Sequence, residues 1–217
     1  RDDASLSLAR ADLLSDDGWD DAAAGCRFVL HVASVFQINP PRDREGLVPV
    51  ARGGTLRVLR AGERAGVERT VLTSSIAAVR IGHRSDDKRV FTEADWTDLD
   101  NPDVSSYAVS KTRAERAAWE FIVAEGGRMS LAVINPGFVL GPPLDRAVEA
   151  SGDVIRMMLT GRMPMLPPIR LSIVDVRDIA DAHLAAMERP EAGGERFICS
   201  AGSLSFRQMR DIIARNF

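Results

Sequence analysis

Tyr107 is the single tyrosine of the chain, and Lys111 follows it four residues later in the stretch SSYAVSK. On a helix that spacing places a phenol and an ammonium on one face, about 6 Å apart along the axis. An ammonium beside a phenol favours the phenolate and draws its pKa down from about 10. A tyrosine tuned in this way can donate and accept a proton in alcohol–carbonyl interconversion. Ser75, in the run VLTSS, offers a hydroxyl to the same substrate oxygen. No side chain carries hydride, so the electrons of such a reaction come from a cofactor.

A Y-x-x-x-K pair alone is weak, because any helix can place a tyrosine one turn from a lysine. The surrounding elements give it weight. Short runs rich in Val, Leu and Ile alternate with longer periodic segments. The pattern predicts strands over 6–13 (LSLARADL), 26–34 (CRFVLHVAS), 68–75 (ERTVLTSS) and 129–137 (MSLAVINPG). Helices are expected at WDDAAAG, over 46–66 and over 104–125. CRFVLHVAS is apolar throughout, as a strand buried on both faces would be. The alternation implies right-handed crossovers and an α/β fold, a parallel sheet with helices on both faces. In such a sheet ligands bind beyond the carboxyl ends of the strands, which singles out HVAS, TSSIAAV and NPG. After Gly141 the pattern is less regular: a helix near 153–160, a Pro-rich loop, the strand LSIVDV, the helix RDIADAHLAAMER, the strand ERFICS and a helix from SFRQMRDII.

HVAS, VLTSSIAAV, YAVSK and NPGFVLGP, in this order, resemble the extended short-chain dehydrogenase/reductases, in the branch of dihydroflavonol 4-reductases and related carbonyl reductases. The resemblance runs from ADLL to SFRQM. It implies a Rossmann-type NAD(P)-binding domain over 1–141, and over 142–217 a mixed region with the start of a substrate subdomain and returning sheet elements. By the resemblance Ser75, Tyr107 and Lys111 form the catalytic triad, and Lys111 also binds the nicotinamide ribose. Asp12 and Leu13 would meet the adenine, with Val32, Ala33 and Ser34 along the adenosine side. Thr73 and Ser74 would follow the nicotinamide ribose, and Pro136 and Val139 the nicotinamide. Arg80, just after SSIAAV, takes the place of a substrate-reading residue, and the polar loop that follows would border the substrate, with Trp96 as its wall or its anchor. The implied reaction is hydride transfer from a reduced nicotinamide to an aldehyde or ketone, with Tyr107 protonating the oxygen. A nucleotide-sugar epimerase or dehydratase, and a non-catalytic NADP-sensing or scaffold protein, are the alternatives on the same fold. A homodimer through two helices per subunit fits the family.

The fingerprint G-x-G-x-x-G is absent: Gly53-Gly54, Gly126-Gly127 and Gly193-Gly194 do not match it. In the family that loop holds the pyrophosphate at a helix N-terminus in the first strand–helix unit, which is expected upstream of Arg1, the alternative being its true loss. Arg1-Asp2-Asp3 resembles the family's turn in which an arginine meets the 2′-phosphate, favouring NADP(H) over NAD(H).

The remaining features exclude classes. A net charge of -3 with dispersed Lys and Arg argues against nucleic acid and anionic membranes. No apolar run is long enough to span a bilayer. Cys26 and Cys199 form no framework, and a reduced, cytoplasmic protein is expected. His31, His83 and His183 share no metal-ligand spacing, and His31 reads as a satisfied core histidine. The methionines of IRMMLTGRMPML read as core filling.

Overall fold

The computed structural model describes residues 6–35, 41, 43–83, 89–144, 150–163 and 165–216. Arg1-Asp2-Asp3 lies outside the described residues. Two strands show how the core is divided. In β2 (Arg69–Thr73) and β3 (Ser130–Pro136), paired in parallel, Val71, Ala132 and Ile134 point to one side of the sheet. Leu72, Leu131 and Val133 point to the other, as the period of two requires. Helices α2 (Val48–Ala65) and α3 (Ser106–Ala124) cover the second face with Leu56, Leu59, Ala117, Ala118 and Phe121. Helix α5 (Val176–Glu188) covers the first with Ile179 and Ala186. The sheet is completed by β1 (Phe28–His31) and β6 (Arg196–Cys199), in the order β1-β2-β3-β6, all parallel. This is the α/β architecture expected, with helices on both faces.

A second sheet, not anticipated, runs in the order β4-β5-β7 from Phe138–Leu140, Arg170–Asp175 and Gly202–Ser205, with β5 and β7 antiparallel. β4 and β7 have only three and four residues, too few to show a period. The remaining helices are α1 (Trp19–Ala23), α4 (Ala150–Leu159) and α6 (Phe206–Asn216). No helix among the described residues is long and apolar enough to cross a membrane.

Three expectations are corrected. The strand over 6–13 does not form: residues 6–12 make no ladder, and Leu6 and Leu8 are 73% and 94% exposed. An extended segment becomes a strand only through a neighbour, and among the described residues β1 is the edge of its sheet. For the same reason the strand within 26–34 shortens to 28–31 and is not buried on both faces, Leu30 being 41% exposed. The methionine-rich stretch is not core: Met157 and Met165 are exposed, because α4 packs mainly on the short β4.

Gly137 joins the two sheets. Its amide donates to the Cys199 carbonyl at 3.0 Å, while the next residue opens β4. A Cβ there would stand 2.5 Å from the Ser172 carbonyl oxygen of β5 and 2.9 Å from its carbon, both backbone atoms. Gly137→Ala is therefore expected to destabilise the fold by about 1–3 kcal/mol, the usual cost of overpacking. Urea unfolding measures this, and an unchanged midpoint would contradict it.

Candidate active site

The start of α3 explains the serines around Tyr107. Ser105 is the N-cap, its hydroxyl accepting from the Ala108 amide at 3.3 Å. Ser110 and Thr112 donate to the carbonyls of Tyr107 and Ala108 within the helix. Tyr107, Lys111 and Glu115 then follow at one-turn intervals on one face. Lys111, 7% exposed, extends to the carboxyl end of β2 and donates to the Thr73 carbonyl at 3.1 Å. Ser75 stands two residues further along, opening a 3-10 turn (Ile76–Ala78) with its hydroxyl accepting from the Ala77 amide at 3.1 Å. The phenol of Tyr107 hydrogen-bonds the Ser75 side chain. Ser75, Tyr107 and Lys111 are thus assembled where β2 ends.

Electrostatics corrects one expectation. Burial pushes the Tyr107 phenol above its ordinary range, only partly opposed by the Ser75 hydrogen bond. Burial outweighs the charge of the nearby lysine, whose ammonium donates to the Thr73 carbonyl. Lys111 itself is lowered by burial to about 8, with the Glu115 carboxylate opposing the fall. In the chain alone, then, Tyr107 is held as a protonated acid at neutral pH.

A groove at the ends of β1 and β2 brings together six of the residues expected to hold a cofactor: Leu13, Ala33, Ser34, Thr73, Ser74 and Lys111. Others stand apart. The Asp12 carboxylate closes a local turn on the Leu14 amide at 2.8 Å, and Val32 is 59% exposed. Pro136 is buried at the end of β3, and Val139 packs against the cluster beneath α5. Arg80 is exposed beside the 3-10 turn. Trp96 lies under the Arg196 guanidinium at 3.9 Å and near that of Arg116, so it anchors its loop.

The groove is narrow and partly filled by the side chains that line it. Its lining includes the small side chains of Ala33, Ser34, Ala51 and Ala114, and the Lys111 ammonium is the one cationic donor among the described lining residues that a ribose hydroxyl could meet. Glycine-turn capture of a pyrophosphate has no counterpart in this sequence.

Sequence reasoning missed three neighbours of the site. Glu115 is fully buried and bonded to Ser74 at 2.5 Å; its signal was its place two turns after Tyr107. Asn135, also buried, donates to the Ser75 carbonyl at 3.2 Å. His183 shares no metal-ligand spacing and carries no other signal in the sequence. Its Nδ1 donates to the Ile179 carbonyl at 2.7 Å, leaving Nε2 to accept from the Thr73 hydroxyl at 2.6 Å when the ring is neutral. Among the described residues no group of three or more His, Cys, Asp or Glu could hold a metal.

His31 is buried, as expected, with Nε2 3.5 Å from the Thr55 hydroxyl. Burial, and then the Lys111 charge, lower its pKa to about 4. The unfolded chain takes up this proton near pH 6.5 and the folded chain only near 4, so stability falls as pH drops through that window. At about 1.4 kcal/mol per unit the loss approaches about 3 kcal/mol. Comparing unfolding at pH 7 and pH 4 in the parent and in His31→Gln tests this; equal losses in both would contradict it.

Comparison with known proteins completes the description. The chain is 36% identical over 214 residues to cinnamoyl-CoA reductase 1 of Arabidopsis thaliana, covering 98% of this chain and 60% of that one. It is 31% identical over 226 residues to a putative anthocyanidin reductase of Ginkgo biloba, covering 98% and 65%. The crystal structure of Gre2 from Candida albicans in complex with NADPH superposes with a TM-score of 0.82 at 31% identity, covering 95% of this chain and 66% of that one. The chain thus spans less than two thirds of the length of these curated relatives. Residues 1–201 match the model of one family, and the chain belongs to it: the NAD dependent epimerase/dehydratase family.

Proposed function

We propose that the chain carries the catalytic centre of an NADPH-dependent reductase acting on the aldehyde or ketone group of a small molecule. The observation that carries this reading is the assembly at the end of β2, where Tyr107 bonds Ser75 and Lys111 is anchored on Thr73. When bound, the reduced nicotinamide supplies hydride to the carbonyl carbon. Ser75 and Tyr107 hold the carbonyl oxygen, and the phenol proton passes to it as the alcohol forms. Lys111 orients the ribose and keeps a positive charge beside the phenolate that Tyr107 becomes. The reductase names of the relatives, and NADPH in the Gre2 complex, support this reading and favour NADP(H) over NAD(H). The same reading makes 1–141 the cofactor domain, Arg80 a reader of the substrate, α2 and α3 a homodimer surface, and the compartment cytoplasmic.

The test is absorbance at 340 nm with the full-length protein, NADPH and NADH offered separately against aldehydes, ketones and a dihydroflavonol. NADPH oxidation matched by alcohol formation is the expected result. Tight cofactor retention without net oxidation would overturn it in favour of an epimerase or dehydratase, and absence of binding would favour a non-catalytic protein.

A further inference from the structure

Glu115 lies two turns beyond Tyr107 on the same face of α3 and is closed to solvent. Its carboxylate is fully engaged. One oxygen accepts from the Ser74 hydroxyl at 2.5 Å and from the Asn135 amide at 2.9 Å. The other accepts from Arg196 Nε at 2.6 Å. The bonds continue outwards in two directions. The Asn135 amide also reaches the Ser75 carbonyl, so Glu115 bonds Ser74 directly and is linked to Ser75 through Asn135, just past the end of β2. Arg196 Nη1 donates to the carbonyls of Glu93 and Asp95, at 2.6 and 2.7 Å, and its guanidinium lies over Trp96. One carboxylate therefore ties α3, the Ser74–Ser75 turn, the end of β3, β6 and the loop around 93–96.

Stability alone does not call for such a pair. A buried ion pair is often matched or bettered by apolar residues of similar volume, because both charges lose their hydration. What the carboxylate provides and an apolar pair cannot is a set of directed bonds on the backbone that carries Ser75, and a negative charge one turn from Lys111. The groups facing Lys111 are Tyr107 and Glu115 on its own helix, the Thr73 carbonyl on β2 and His31 on β1, with Arg196 bound on the far side of Glu115.

We propose that Glu115 is a positioning residue of this centre: through Ser74 and Asn135 it sets the place of Ser75, and through Arg196 it fastens the 93–96 loop to the same framework. Its effect on turnover rests on the reductase reading above; its effect on Lys111 does not. Removing the carboxylate also removes what opposes the downward pull of burial on Lys111.

The experiment uses the full-length protein with Glu115→Gln and the apolar pair Glu115→Leu/Arg196→Met. Two readouts are taken: kcat and KM for carbonyl reduction against pH, and the NMR titration of Lys111. Lysine labelling follows the titration, and Lys111→Arg identifies its signal. In Glu115→Gln, kcat is expected to fall by about 100-fold, as misplacement of a reacting group does, with KM changing far less. The alkaline limb of the rate profile and the Lys111 titration both move to lower pH. The apolar pair is expected to melt above Arg196→Met, since neither charge is left buried alone, yet keep the low kcat and the displaced titration; it carries the test should Glu115→Gln fail to fold. Recovery of melting temperature, kcat and titration together in the apolar pair would show a merely structural role and overturn the proposal. So would an unmoved Lys111 in Glu115→Gln. A parent inert toward every carbonyl would refute the reductase reading, while the Lys111 titration would still decide for or against Glu115.

Discussion

Tyr107→Phe is expected to lower kcat for carbonyl reduction by about 10²–10⁴-fold, the usual contribution of a positioned general acid. The change removes one oxygen and leaves the half-buried ring in place. Because burial holds the phenol above its ordinary range, the parent keeps its proton at neutral pH and can pass it to a nascent alkoxide. The variant leaves that oxygen with the Ser75 hydroxyl, whose oxygen accepts from the Ala77 amide and whose O–H can hold the alkoxide but does not replace the phenol as the acid. The structural loss is a single hydrogen bond, worth about 0.5–1.5 kcal/mol. The variant should therefore melt close to the parent and retain cofactor binding. Steady-state kinetics beside a melting curve separates these effects. A variant as active as the parent would remove Tyr107 from the chemistry.

Arg196→Met is expected to produce the largest loss of stability, about 3–5 kcal/mol, the cost of leaving one member of a buried pair alone. The Arg196 side chain is 8% exposed and that of Glu115 0%, so water cannot replace the lost partner. The substitution also frees the carbonyls of Glu93 and Asp95 and the face of Trp96. For a chain of this size the loss corresponds to a fall of about 10 °C in Tm. Calorimetry of parent and variant checks it. A fall of only a degree or two would mean that solvent reaches Glu115 and that the pair is weaker than its geometry implies.

The parts legible in the sequence are those with a local signature. Long periodic segments gave α2, α3 and α5, and continuous apolar runs gave β2 and β3, because helix and strand periods are written in consecutive residues. The Tyr107–Lys111 spacing and the strand-end place of Ser75 were legible too, each being local geometry, while their grouping as a triad rested on the family resemblance. Partnership across the fold was not. LSLARADL has the composition of a strand, but no strand among the described residues pairs with it. β4 and β7 exist only because β5 lies between them. The Tyr107 pKa was misjudged in direction because spacing reveals an ammonium nearby but not the Thr73 carbonyl that holds it, nor the burial that outweighs it. Glu115 and Arg196 are 81 residues apart, and nothing in either neighbourhood announces the other.

The most direct test of the central claim follows the hydride. The full-length protein would be given NADPH deuterated at the transferring position of the nicotinamide, together with a carbonyl substrate that it turns over, and the alcohol analysed by mass spectrometry. The account predicts one deuterium on the carbinol carbon per NADPH oxidised, with the rate collapsing in Tyr107→Phe. An alcohol free of deuterium, or deuterium returned to the cofactor with no net reduction, would contradict it.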